Sequence, residues 1–329
     1  MPELPEVETL RRMLEDQVVG RTIASAWCSG ARLRGAVPRG FGRLRGLRIG
    51  AVRRLGKYLL IDLSGGLTLL SHLGMSGRWR VSPGESAETL EHVHAILRFT
   101  DQSTLVFQDP RRFGLLRLRP TARLASDRSL AILGPDPLLS PPTGEFLAAL
   151  ASGARASVKN FLLDQRRLAG IGNIYASEIL HRAGVEPRRR AGALSRREWE
   201  AVAAGTTRVL REAIGRMGTT FSTYRTLWNE PGGYGERLRV YDRAGEPCRR
   251  CLTPIRRIVQ GQRSTFYCPA CQPRRGGRSE DGRRSRRRPG GGPVRRQRAG
   301  SRPGPSTSAA SRNTENPSPA GRNRAGTSS

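Results

Sequence analysis

Apolar residues recur at Val7, Leu10, Leu14 and Val18, a spacing that puts them on one helical face, and Gly20 follows where such a helix would stop. The pattern predicts a helix over residues 3–19. From residue 22 to about 119 the period shortens. Short Val, Ile and Leu runs (IASAWCS, LRIGAVRRL, YLLIDL, LTLLSHL, HAILRF, TLVFQD, LLRLRP) are broken by Gly and Pro, and seven or eight strands of that length predict a β-sandwich. GPDPLLSPPTG then reads as a linker, and helical periodicity returns over 145–218 with Thr143, Ser157, Asn173 and Ser195 as candidate caps. Gly232, Gly233 and Gly235 break the next stretch before a β-rich module with four cysteines. The expectation is an α+β chain divided at 1–133, 134–144, 145–235, 236–272 and 273–329.

Composition changes the picture at the C-terminus. From Gln272 onward the chain is Arg, Gly, Pro and Ser with almost nothing apolar, too little to offset the entropy of ordering, so this tail is expected to be disordered. It carries fifteen arginines against three acids, which leaves +19 of the net +31 on residues 1–271. A body that basic points to a polyanion, nucleic acid first, and no basic amphipathic helix argues for a membrane surface. The tail's arginines would add salt-sensitive, sequence-independent affinity, or be an inert extension. No apolar run reaches 18 residues and the N-terminus lacks the order of a signal peptide, so the expected location is cytoplasmic. Only two of the 58 basic residues are lysine, Lys57 and Lys159, which marks both as candidates for work that a guanidinium cannot do.

Cys248, Cys251, Cys268 and Cys271 form two C-x-x-C pairs sixteen residues apart, the spacing of a four-thiolate site for one structural Zn²⁺. A pair of disulfides is the competing reading, disfavoured in a reducing compartment. Cys28 lies far off in an apolar strand and reads as a core thiol. Between the pairs, a hairpin with Arg256, Arg257 and Arg263 near its tip would present cations to phosphates. KNFLLDQRRLAGIGNIYASEIL reads as two helices whose second N-terminus, capped by Asn173, leaves amides for a phosphate; an ordinary helical hairpin fits the spacing equally. SHLGMSGRW and DPRRFG read as loops that present Met75, Arg111 and Phe113 as wedges for a base stack, although Met75 and Phe113 would also suit a core. The opening MPELPEVETL suits a helix start, with proline and acids in the first turn. If Met1 is removed, Pro2 also becomes a secondary amine that can attack an aldehydic carbon, with Glu3 beside it to move protons.

These residues together resemble the formamidopyrimidine-DNA glycosylases, through MPELPEVE, GKYLL, HLGMSG, DPRRFG, GIGNIYASE, VYDRAGEPC and RSTFYCPAC over residues 1 to about 272. The resemblance implies a catalytic β-sandwich domain at 1–133, a helix-two-turn-helix DNA-binding domain at 145–235 and a zinc finger at 236–272. It implies a bacterial, nucleoid-associated monomer that binds damaged double-stranded DNA, excises oxidised purines and cleaves the abasic site by β,δ-elimination. By position, Pro2 matches the Schiff-base nucleophile, Glu3 the acid at the deoxyribose, Lys57 the lysine near the damaged nucleotide, and Arg263 the zinc-finger arginine linked to elimination. Met75, Arg111 and Phe113 match the residues that fill the space of the everted nucleotide. Arg155, Lys159 and Asn173 match phosphate contacts, and Glu178 a site carboxylate.

Two departures matter, the first for a DNA contact that cannot be carried over and the second for lesion choice. Leu90 stands where the family often has a histidine, and the loop over 218–235 is longer and differs after Tyr224. The rival enzyme reading is an endonuclease VIII-like glycosylase for oxidised pyrimidines, against which PEL and the intact Met, Arg and Phe trio argue. A non-catalytic zinc-dependent DNA-binding protein is the rival of another class, against which Pro2, Glu3 and Lys57 argue.

Overall fold

Helix α1 (Leu4–Val18) lies where two hydrophobic cores meet, in a computed structural model that describes residues 1–34, 39–82, 90–220 and 224–274. Leu4 packs into the core of the helical half, whereas Val7, Leu10, Leu14 and Val18 pack into the β half. The apolar face legible in the sequence is the face that is buried. Pro5 at the helix start costs no hydrogen bond, because first-turn N–H groups lack intrahelical acceptors. Glu6 reaches back and accepts the Glu3 N–H at 2.7 Å.

Eight strands follow: β1 (Ile23–Cys28), β2 (Ile49–Leu55), β3 (Tyr58–Leu63), β4 (Leu67–His72), β5 (Arg78–Ser82), β6 (Val93–Phe99), β7 (Thr104–Gln108) and β8 (Leu115–Pro120). They pair antiparallel into two four-stranded sheets, β1-β6-β7-β5 and β2-β3-β4-β8, with Leu59, Leu69, Trp79, Leu97 and Phe107 between them. This is the β-sandwich that the strand-length runs predicted. YLLIDL does not alternate because β3 is covered on both faces: Leu60 and Leu70 meet Leu124 and Leu130 of the segment after β8. Cys28 is half-buried at the edge of this core, not enclosed in it.

The helical half comprises α2 (Arg128–Ala131), α3 (Gly144–Leu150), α4 (Val158–Leu163), α5 (Asn173–Ala183) and α6 (Arg196–Ile214). Thr143, Ser157 and Ser195 cap α3, α4 and α6, each accepting a first-turn N–H. The fourth expected cap is corrected: Gly172 holds the N-cap position of α5 and Asn173 is its first helical residue. The Pro-rich segment before α3 is anchored. The Arg54 guanidinium, 1% exposed, lies between the carboxylates of Glu8 and Asp136, and Asp136 also accepts the Gly56 N–H at 2.8 Å. Removing either acid would leave the buried guanidinium with a single carboxylate partner.

The last module is the antiparallel hairpin β9 (Arg256–Gln260) and β10 (Arg263–Tyr267), flanked by the cysteine pairs. Its register corrects one expectation. Arg263 pairs with Gln260 beside the turn, but Arg256 faces Tyr267 and Arg257 faces Phe266, at the end away from the tip.

Candidate active site

Glu3 precedes α1, yet its carboxylate serves a different helix. Oε1 accepts the Ile174 N–H at 3.0 Å and Oε2 the Tyr175 N–H at 3.3 Å, both in the first turn of α5. A helix N-terminus carries partial positive charge and favours an anion. The amides that the sequence reading offered to a phosphate are therefore taken by the chain's own carboxylate. Gly172 makes the approach possible, since a Cβ there would lie 2.2 Å from Glu3 Cδ. Leu4 N–H donates to Gly170 O at 3.1 Å, which stitches the AGIGN turn to the N-terminus.

Pro2 is buried, and Met1 lines a cavity of about 520 Å³ together with Glu3, Met75, Asn173, Tyr241 and Arg263. With Met1 in place the Pro2 nitrogen is an amide. Lys57 is 7% exposed and its ammonium donates to Ile171 O at 3.2 Å. Burial pushes its pKa below the usual lysine value, Glu3 and Glu6 oppose that fall, and Arg263 adds to it. The structure thus brings Glu3, Lys57 and Arg263 within electrostatic reach of one another beside the N-terminus. A roomier groove of about 820 Å³, running past Arg11 and Leu139, includes none of the predicted residues among its walls, so size alone would misplace the site.

Glu6 is a residue the sequence reading missed. At 1% exposure it accepts the Glu3 N–H, the Thr219 N–H at 2.7 Å and the Tyr175 hydroxyl. Burial, then the charge of Glu3, raise its pKa from 4.5 to about 7 despite those donors. The sign follows from linkage: a carboxyl held above its unfolded pKa favours the fold below about pH 4.5, and that contribution is lost as pH rises through about 7. Glu6→Gln, which keeps a neutral group there, should therefore flatten the pH dependence of unfolding free energy over that window. Denaturant titrations at pH 5 and 8 would show it, and an unchanged slope would remove Glu6 from the account.

Met75 and Phe113 are 38% and 45% exposed, so neither is a core plug, and the Arg111 guanidinium lies 5.0 Å from the Phe113 ring centroid. Asp109, fully buried, locks their two turns together. Its carboxylate accepts from Ser76 Oγ at 2.5 Å and Gly114 N–H at 2.6 Å, while Ser76 Oγ accepts the Arg111 N–H at 3.1 Å. Gly74, at φ +62, lies so close that a Cβ would meet Phe113 O at 2.3 Å. DPRRFG shows the aspartate, but not that it faces inward.

The remaining predicted contacts divide. Arg155 and Arg263 are exposed. Lys159 is 0% exposed; its ammonium donates to Ser264 O at 3.0 Å and Thr265 Oγ1 at 2.6 Å, and burial with nearby Arg263 lowers its pKa to about 8. Asn173 Nδ2 donates to the same Ser264 O at 2.9 Å. Both side chains thus tie the helical half to β10. Glu178 is buried at 1% exposure, where its carboxylate accepts the N–H groups of Arg239, Val240 and Tyr241, each at 2.9 Å. A carboxylate so enclosed orders that stretch of backbone.

The sulfurs of Cys248, Cys251, Cys268 and Cys271 all lie within 4.8 Å of one another, with Cys251 Sγ 3.4 Å from both Cys268 Sγ and Cys271 Sγ. Four thiolates about 2.3 Å from a tetrahedral Zn²⁺ stand roughly 3.8 Å apart, so the donor set and its spacing fit one structural zinc.

Three family models match the chain: a formamidopyrimidine-DNA glycosylase N-terminal domain over residues 1–116, the H2TH domain of the same enzymes over 133–225, and a zinc finger found in FPG and IleRS over 245–274. The formamidopyrimidine-DNA glycosylase of Cereibacter sphaeroides is 45% identical over 282 residues, covering 83% of this chain and all of that protein. That of Methylococcus capsulatus is 45% identical over 276 residues, with the same coverage. Among solved structures, the MutM (Fpg) protein of Thermus thermophilus aligns at a TM-score of 0.74 and 39% identity, covering 82% of this chain and 98% of its own. The Lactococcus lactis Fpg in complex with abasic-site DNA aligns at 0.75 and 30% identity, over 82% of this chain and 99% of its own.

Proposed function

The chain belongs to the formamidopyrimidine-DNA glycosylase family, and we propose that Pro2, once Met1 is removed, is the nucleophile of its reaction. The protein is a base-excision repair glycosylase for oxidised purines in DNA. Among the described residues no helix is long and apolar enough to cross a membrane. Its working place is the bacterial nucleoid, as a monomer on duplex DNA.

The observation that carries the reading is Glu3, pinned by two α5 amides beside buried Lys57 at the cavity that Met1 lines. A base must leave the stack before its C1′ is reachable, which costs a few kcal/mol, and Met75, Arg111 and Phe113 offset that cost by filling the hole. The Pro2 nitrogen pair attacks C1′ as the glycosidic bond breaks, and the departing base takes the bonding pair and a proton from the site, with Lys57 as donor. Glu3 takes up the proton that the Pro2 nitrogen sheds on bonding to C1′ and passes it to the deoxyribose oxygen, so that the ring opens and the iminium forms. Loss of a C2′ proton expels the 3′ phosphate, and a second elimination expels the 5′ phosphate. Arg263, exposed beside the hairpin turn, meets the phosphate charge. Arg155 meets the duplex backbone directly; Lys159 and Asn173 act by holding β10 in place for it.

A complex of the Lactococcus lactis Fpg with oxidised-pyrimidine DNA keeps a second substrate class in view. Here the loop after Tyr224 is anchored through Leu227, which is buried in the sandwich core. Single-turnover excision on duplexes carrying one 8-oxoguanine, one oxidised pyrimidine or one abasic site decides between them. Fastest excision of 8-oxoguanine is expected; faster excision of the pyrimidine would move the chain to the endonuclease VIII reading.

A further inference from the structure

The helix that holds Glu3 at its N-terminus ends against the cysteine cluster. His181, in the last turn of α5, is 1% exposed, and its Nε2 lies 3.5 Å from Cys248 Sγ. Its Nδ1 has no hydrogen-bond partner among the described residues. The knuckles' own amides also donate to these sulfurs, Arg250 N–H to Cys248 Sγ and Cys271 N–H to Cys268 Sγ, each at 3.4 Å. His181 reaches the cluster from outside the module.

We propose that His181 is a positioning residue of the zinc site, donating its Nε2–H to the Cys248 thiolate and so fastening that ligand to α5. The tautomer follows from hydrogen-bond accounting. A neutral imidazole carries one N–H, and placing it on Nδ1 would leave a buried donor without an acceptor while aiming the Nε2 lone pair at sulfur. Placed on Nε2, the proton meets an anionic acceptor and the unpartnered atom is a lone pair. Four thiolates around Zn²⁺ carry a net formal charge of two minus, so each N–H···S contact spreads charge that the buried Cys248 cannot pass to water. Because the donor sits on α5, the orientation of Cys248 is set by the same helix whose first turn holds Glu3 and whose Glu178 orders residues 239–241, just before the knuckle.

The test is zinc transfer from the metal-loaded full-length protein to a chromogenic chelator, a readout independent of DNA and of turnover. His181→Gln places an amide N–H near the position of Nε2, whereas His181→Asn places one near Nδ1 and His181→Leu has none. Zinc should leave the Asn and Leu variants about 10- to 100-fold faster than the parent, the usual effect of losing an outer partner of a ligand. The Gln variant should stay close to the parent rate. Equal rates in all four proteins would overturn the proposal, and equally fast loss from all three variants would reduce His181 to a packing residue. Cobalt substitution separates donor from ligand: parent and Gln variant should share one thiolate-to-cobalt charge-transfer spectrum, and a spectrum that changes with the ring would make His181 a direct ligand and overturn the assignment.

Discussion

Lys57→Arg should slow excision of an oxidised purine by about 10²- to 10⁴-fold, the range of a lost general acid-base partner, while cleavage of a preformed abasic site falls much less. The charge is kept, so the loss would report what an ammonium does and a guanidinium cannot. Lys57 is buried, with its pKa pulled below the usual value by burial and by Arg263, and held up by Glu3 and Glu6. A proton carried there is easier to give to a departing base. A guanidinium stays protonated and is larger, in a pocket closed by Ile171 O. The abasic substrate no longer needs that proton, and Pro2 still supplies the amine. Single-turnover rates on both substrates check this: near-normal excision would leave Lys57 a phosphate contact, and equal losses would place it in elimination.

Cys268→Ser should give a protein without zinc and with DNA binding lost. Cys268 is fully buried among the other ligands, and the binding free energy of structural zinc, about 10–16 kcal/mol, is largely the folding free energy of such a module. The consequence travels beyond the finger. Ser264 and Thr265 of β10 accept from Lys159 and Asn173, so an unfolded hairpin would strand the buried Lys159 ammonium as well as displace Arg263. Metal analysis and fluorescence-anisotropy titration with a duplex measure both losses. Parental DNA affinity in a zinc-free protein would contradict the account.

Much of this was legible along the chain because it rests on local rules. The periodicity of Val7, Leu10, Leu14 and Val18 marked α1, strand-length runs marked the sandwich, and the two C-x-x-C pairs marked the metal site. What was not legible depends on which side chain meets which helix end. Asn173 looked like a cap with amides left for phosphate, but Glu3, 170 residues earlier in the chain, occupies those amides. Glu178 matched a site carboxylate by position, but nothing local shows that the N–H groups of Arg239, Val240 and Tyr241 surround it. Arg256 and Arg257 looked like tip residues because register is set by the turn, and the turn lies at Gly261 and Gln262. Glu6 left one trace, its position three residues after Glu3 in capping-box spacing, but nothing local shows that it also receives Thr219 and Tyr175.

The central claim is that the secondary amine of Pro2 does the covalent chemistry, with Glu3 and Lys57 around it. Borohydride reduction of the protein during reaction with an 8-oxoguanine duplex tests it most directly. The account predicts a trapped protein-DNA adduct whose modified peptide begins at Pro2; an adduct on Lys57 or Lys159 would contradict it.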